Sequence, residues 1–264
     1  MLNEVYTLLK KRYKPRSERE APRLSALEAV IYGICHEGTT REQANQALSR
    51  FKDGFFDWNE VRVSTVDEVK SALIGLPDAE GRAHRIRRFL RQLFDRTYGF
   101  NLEPLTKKPL KESLKVLQEY EAFASDYVTA TVIQEALGGH AIPVDAPMLR
   151  TLERLGVVEP EADLTALRAT LERAVPKNRG AEFVDLMEEL AHDTCVEGEP
   201  DCPRCELRKT CPTARARKDA ASLAPKPVPA KAAAKESPKE PKIAAAKTAK
   251  KAPESPQRKT KGTK

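Results

Sequence analysis

The chain has 264 residues, 40% hydrophobic and 32% charged, with 46 Lys and Arg against 39 Asp and Glu for a net charge of +7. The sequence contains no run of about 18 apolar residues that would cross a membrane, and the charged stretch Met1 to Glu18 lacks the apolar core of a secretory signal. Clustered cysteines in such a chain point to metal ligands in a reducing compartment rather than a disulfide framework.

Apolar residues recur at helical spacing through residues 1–194 with no convincing strand alternation, which predicts an all-α chain of about ten short helices. Leu24, Leu27, Val30, Ile31 and Ile34 form the first stripe. Cys35 lies on its buried face and reads as a small core residue. His36 reads as a helix-end residue, with a polar role in a site as the alternative. Residues 41–51 give the next helix, and Thr65 begins a short one carrying Val69 and Leu73. Ile86, Phe89, Leu90, Leu93 and Phe94 make a strong face opposite Arg82, Arg85, Arg88 and Arg91. That arginine row reads as the solvated side of an amphipathic helix, with a phosphate-facing ridge as the alternative. Further helices are predicted over 109–119, 125–137, 147–155, 164–174 and 180–193, punctuated at Gly75-Leu76-Pro77, Gly138-Gly139 and Pro143.

Asp145 precedes Ala146-Pro147, and proline favours the first turn of a helix, so Asp145 is placed to cap a helix N-terminus. Fifty residues on, Cys195, Cys202, Cys205 and Cys211 follow the spacing C-x6-C-x2-C-x5-C within one 17-residue stretch. Thiolates this close can share one inorganic centre and close a loop with little else to bury. Zinc is one reading, although four-cysteine zinc sites usually come as two C-x2-4-C pairs. From about Thr213 the chain is Lys, Ala and Pro with almost no large apolar residue, and disorder is expected there. This segment carries 15 Lys and Arg against 4 Asp and Glu, a net of +11, which leaves residues 1–212 at −4. A tail so basic favours nucleic acid through counterion release; a solubilising appendage is the alternative.

The cysteine spacing resembles the terminal [4Fe-4S] loop of the endonuclease III family of DNA glycosylases. Upstream, Val144-Asp145 through Arg150 is similar to that family's V-D-x-x-x-x-R segment, and Asp126 to Ile133 resembles the second helix of its helix–hairpin–helix. Leu27 to Thr40, and Ile74-Gly75-Leu76 through Arg82-Ala83 with Ile86, align with the first half of the fold, so the resemblance spans about residues 2–212. It implies a two-lobed all-α fold with a helical barrel over 26–138. A second lobe made of 1–25 and 139–212 carries a [4Fe-4S] cluster on the four cysteines, and a DNA cleft lies between. It implies base-excision repair of double-stranded DNA by a monomer, expected in the cytoplasm on the nucleoid. Asp145 would be the catalytic carboxylate and Tyr127 a pocket residue. DNA contacts would come from Phe123, Ala124 and Ser125 of the hairpin and from Arg204, Arg208 and Lys209.

The departures from the family pattern carry as much information. Members that also cut the backbone have a lysine 18 residues before the aspartate. Here that place is Tyr127 by counting back, or Val128 if anchored on Thr129-Ala130, and there is no lysine between Lys115 and Lys177. A phenol cannot form an imine with the sugar, so base removal without imine-dependent strand cleavage is expected. The hairpin L-P-G-x-G is Glu121-Ala122-Phe123-Ala124-Ser125, without the glycines that let amides approach phosphate. The pocket glutamine is Gly38. Glu197, Glu199 and Asp201 stand where relatives place basic residues, and their charge would repel a duplex. The alternative is therefore a catalytically silent iron–sulfur DNA-binding protein that relies on its tail. A redox-responsive interaction factor is a third reading without positive support.

Overall fold

A computed structural model describes residues 2–13, 24–159 and 163–223, all within one unit spanning Met1–Ala224. The helices are α1 (Leu2–Arg12), α2 (Ala26–His36), α3 (Arg41–Gly54), α4 (Trp58–Val63), α5 (Val66–Ala72), α6 (Ala79–Thr97) and α7 (Glu103–Thr106). After them come α8 (Leu110–Leu117), α9 (Asp126–Glu135), α10 (Ala146–Arg154), α11 (Leu164–Ala174), α12 (Gly180–Glu189) and α13 (Pro212–Leu223). Among the described residues there is no strand, and no helix is long and apolar enough to cross a membrane. The predicted helices are present; α4, α7 and α13 add short ones whose few apolar residues give a weak periodic signal.

Local chemistry sets the helix starts. Ser25 with Glu28, Thr40 with Gln43 and Thr65 with Glu68 each form a reciprocal capping box, satisfying two backbone donors that the first turn would otherwise leave open. Two apolar clusters then organise the packing. The first draws Val30, Ile31, Phe51, Phe89, Leu93 and Val128 from α2 through α9. The second joins Val5 and Leu9 of α1 to Ile142, Leu152, Leu171, Phe183 and Leu207. Helices α2 and α9 cross closely at Gly33, where an added Cβ would already lie 3.4 Å from the Val128 backbone.

Two expectations need correction. Arg82 is not on a solvated face. It is buried, and it donates to the carbonyls of Ile34, Glu37 and Pro77, satisfying acceptors left open at the end of α2. The rest of the row behaves as expected of a surface, with Arg85 paired to Glu37 and Arg88 to Glu121. The segment expected to be disordered from Thr213 begins instead with α13. Three small contacts hold that helix: Thr213 Oγ1 donates to the Arg154 carbonyl at 2.9 Å, Pro212 packs against Gly156, and Ala214 is buried in the second cluster. Ala, Arg and Lys are strong helix formers, so modest anchoring suffices. The remainder of the tail, 224–264, lies outside the described residues.

Candidate active site

The two clusters meet around Asp145. Its carboxylate caps α10, with Oδ1 accepting from the Met148 amide at 2.9 Å. Oδ2 accepts from the Gly38 amide at 3.1 Å, across from the turn that follows α2. Gly38 adopts φ 74°, a left-handed conformation that suits glycine, and an added Cβ would meet nothing within 4 Å. The place of the expected glutamine thus offers a backbone donor and empty space. Burial raises the Asp145 pKa above the usual aspartate range; the two amides and the positive charge available to His36 and His192 oppose that rise.

Beside it runs a buried chain of hydrogen bonds. Tyr127 is 6% exposed, and its hydroxyl lies 2.9 Å from Nδ1 of His36. Nε2 of His36 lies 2.8 Å from Glu188 on α12. The other Glu188 oxygen accepts from the Arg41 amide at the start of α3, and the Arg41 guanidinium pairs with Asp185 and Glu135. Burial works to raise the Glu188 carboxyl, but His36 and Arg41 outweigh it and hold the group below its ordinary value. Tyr127 is pushed well up, first by burial and then by the Asp145 charge, so it remains a neutral phenol. His36 is therefore the junction of this chain and not only a helix-end residue. Arg41 and Glu188 escaped sequence reading because each looks like an ordinary surface charge on an amphipathic helix. His192 escaped it too. It sits in the π-helical turn Leu190–Thr194 that follows α12, and its Nε2 is buried without a partner. Such turns are frequent at functional sites.

The hairpin places its residues unevenly. Glu121–Ala124 form a 3-10 turn in which Phe123 is buried in the first cluster and Ala124 is exposed. None of these residues is left-handed, so the turn does without the missing glycines. Ser125 caps α9 and donates to Glu37 at 2.9 Å, while Glu121 is engaged by Arg88.

None of the four clustered cysteines is joined in a disulfide, and all four line one cavity with Arg154, Leu155 and Leu190. Helix α10 ties their loop down: Arg150 donates to the carbonyls of Ala191 and Cys195, and Arg154 to those of Cys195 and Val196. The Arg154 guanidinium also reaches Cys195 Sγ at 3.6 Å, and its carbonyl accepts from the Cys211 thiol at 3.2 Å. Among the described residues no group of three or more His, Cys, Asp or Glu is arranged to hold a metal ion. Cys35 is fully buried in the first cluster, the small core residue expected, and burial pushes its thiol up to about 12. The acids of the cysteine loop are partly neutralised: Glu199 pairs with Arg217, and Asp201 caps a short turn while pairing with Arg204 at 3.3 Å. Arg204, Arg208 and Lys209 are all exposed.

No family model and no curated protein matches the chain. Solved structures do. A trapped endonuclease III–DNA covalent intermediate is 18% identical with a TM-score of 0.63, covering 82% of this chain and 95% of that one. A thermostable thymine-DNA glycosylase is 18% identical at 0.59, covering 81% and 95%. The 3-methyladenine DNA glycosylase of H. pylori, bound to 1,N6-ethenoadenine, is 15% identical at 0.55, covering 75% and 99%. These likenesses assign the fold: the all-α architecture of the helix–hairpin–helix DNA glycosylases, endonuclease III among them, in a divergent sequence.

Proposed function

We propose that the protein is a DNA N-glycosylase of base-excision repair that removes a base without imine-dependent strand cleavage. The observation that carries this reading is Asp145, a half-buried carboxylate held by amides from both sides on a glycosylase fold. Breaking an N-glycosidic bond builds positive charge on the sugar, and a fixed carboxylate stabilises that charge and orients an attacking water. Such work needs a position set before the substrate arrives, which the Met148 and Gly38 amides supply. Tyr127 stands where an imine-forming lysine would be required, and as a neutral phenol it can shape a pocket but not attack the sugar. The two apolar clusters are proposed to be the cores of the two lobes, with duplex DNA entering between them and a flipped base reaching Asp145.

The cysteine cavity supports a resident [4Fe-4S] cluster. Four soft donors line one space, the ligand set that a [4Fe-4S] cluster takes, although the sulfurs are not gathered around a single metal ion in this structure. Cys195, Cys202, Cys205 and Cys211 would hold it. Its contribution would be structural, closing the loop that Arg150 and Arg154 anchor.

Single-turnover incubation with a panel of damaged and mismatched duplexes tests the reading. Base release by the wild type and its loss in Asp145→Asn are expected; release by neither protein from any duplex refutes it. The runner-up, a silent DNA-binding protein, draws on one observation: Phe123, at the centre of the hairpin, is committed to the core. It predicts DNA binding without release of any base.

A further inference from the structure

We infer that His36 and Glu188 are positioning residues of the proposed glycosylase site, which aim the Tyr127 hydroxyl so that its oxygen lone pairs, and not its hydrogen, face the space beside Asp145. This inference rests on the glycosylase reading and gives it two residues that act through a third.

The direction of each hydrogen in the chain is set from its carboxylate end. Glu188 accepts from the Arg41 amide at one oxygen and meets Nε2 of His36 at 2.8 Å with the other. The carboxyl is held in its ionised form, and an ionised carboxylate has only lone pairs to offer, so Nε2 carries the hydrogen. In a neutral imidazole Nδ1 is then a bare acceptor, and the Tyr127 hydroxyl at 2.9 Å must donate to it. Packing keeps the two ring nitrogens in these places. The imidazole is 3% exposed, with its centroid 5.0 Å from the ring of Tyr32 and 5.9 Å, edge-on, from that of Tyr127.

What remains on Tyr127 is an oxygen with free lone pairs and no other hydrogen bond to a described residue. Asp145 is its neighbour. The ring that Tyr127 bonds and the amide that Asp145 accepts belong to His36 and Gly38, two residues apart at the end of α2. After burial, the Asp145 charge is the strongest influence on the phenol. Breaking the glycosidic bond builds positive charge on the sugar. The oxygen end of the phenol dipole stabilises that charge, whereas the hydrogen end would oppose it.

One isosteric change reverses the whole chain. In Glu188→Gln the Arg41 amide, a donor in the first turn of α3, still needs its acceptor, so the side-chain carbonyl stays there and the NH2 group faces His36. The hydrogen of His36 then moves to Nδ1, which donates to Tyr127 and turns the phenol hydrogen out toward the site.

The test uses the full-length protein at a pH of about 8, above the ordinary imidazole range. Nitrogen-15 spectra of the histidine rings are expected to show hydrogen on Nε2 of His36 in the wild type and on Nδ1 in Glu188→Gln. On a duplex that the wild type processes, Glu188→Gln is expected to slow single-turnover base release by roughly tenfold with duplex affinity unchanged. In a Tyr127→Phe background the same change is expected to cause no further slowing, which a general loss of charge or of folding would not reproduce. Hydrogen on Nδ1, or on both nitrogens, in the wild type overturns the inference, and that arm needs no variant to fold. An unmoved hydrogen or an unchanged rate in Glu188→Gln also overturns it, as does equal slowing without the phenol hydroxyl. If the wild type releases no base from any duplex, the glycosylase reading falls and takes this inference with it; release by the wild type and by Glu188→Gln at one rate removes this inference alone.

Discussion

Asp145 concentrates the chemical question. Its pKa is raised by burial, and the proposed reaction needs it ionised. Base release should therefore fall away on the acid side at a pH above the ordinary aspartate range, measured as a single-turnover pH profile. His36 poses a stability question as well. Removing its ring in His36→Ala strands the Tyr127 hydroxyl and the Glu188 carboxylate in the interior, at an expected cost of about 2–4 kcal/mol in chemical denaturation. The pH dependence has a definite sign. Glu188 is held below its unfolded value, so its pairing stabilises the fold above that value and is lost as pH falls through the lowered one. Acid unfolding of His36→Ala should begin at higher pH than in the wild type. Asp145 and Tyr127 could be singled out as candidates in the sequence because of their spacing from each other and from the cysteines. Sequence reading could not find Arg41, Glu188 or His192, whose roles arise only when α2, α3 and α12 converge. Arg82 misled for a related reason: a helical row shows spacing, but not which member lies under the neighbouring helix.

At the level of the elements, α10 does two jobs over nine residues. Asp145 caps one end, while Arg150 and Arg154 grip the cysteine loop at the other. With the proposed cluster bound, Arg154→Ala should thus release iron to a chelator faster than the wild type, followed by loss of visible absorbance, with α10 itself still helical. Helix α13 was hidden from the sequence by its composition. Its stability comes from one buried alanine, one threonine bond and a proline contact, none of which registers as periodicity. Ending the chain after residue 212 should lower the thermal midpoint by a few degrees, because Ala214 leaves the second cluster and the Thr213 bond to the Arg154 carbonyl is lost. Ending it after residue 223 should leave the midpoint unchanged. Differential scanning fluorimetry separates the two.

Across the whole molecule, the fold could be read from the sequence because helical periodicity, caps and the cysteine spacing all pointed to one architecture. The site was only partly readable, since it is assembled from residues as far apart as His36 and Glu188. The balance of charge also changed in three dimensions. Acids that looked repulsive in a line of sequence are partly neutralised by Arg204 and Arg217.

The bond between the Gly38 amide and Asp145 reaches from the turn after one core's α2 to the helix cap of the other. The turn after α2 thereby bears on the acidity of a residue 107 positions along the chain: its amide is one of two donors that offset the effect of burial on this carboxylate.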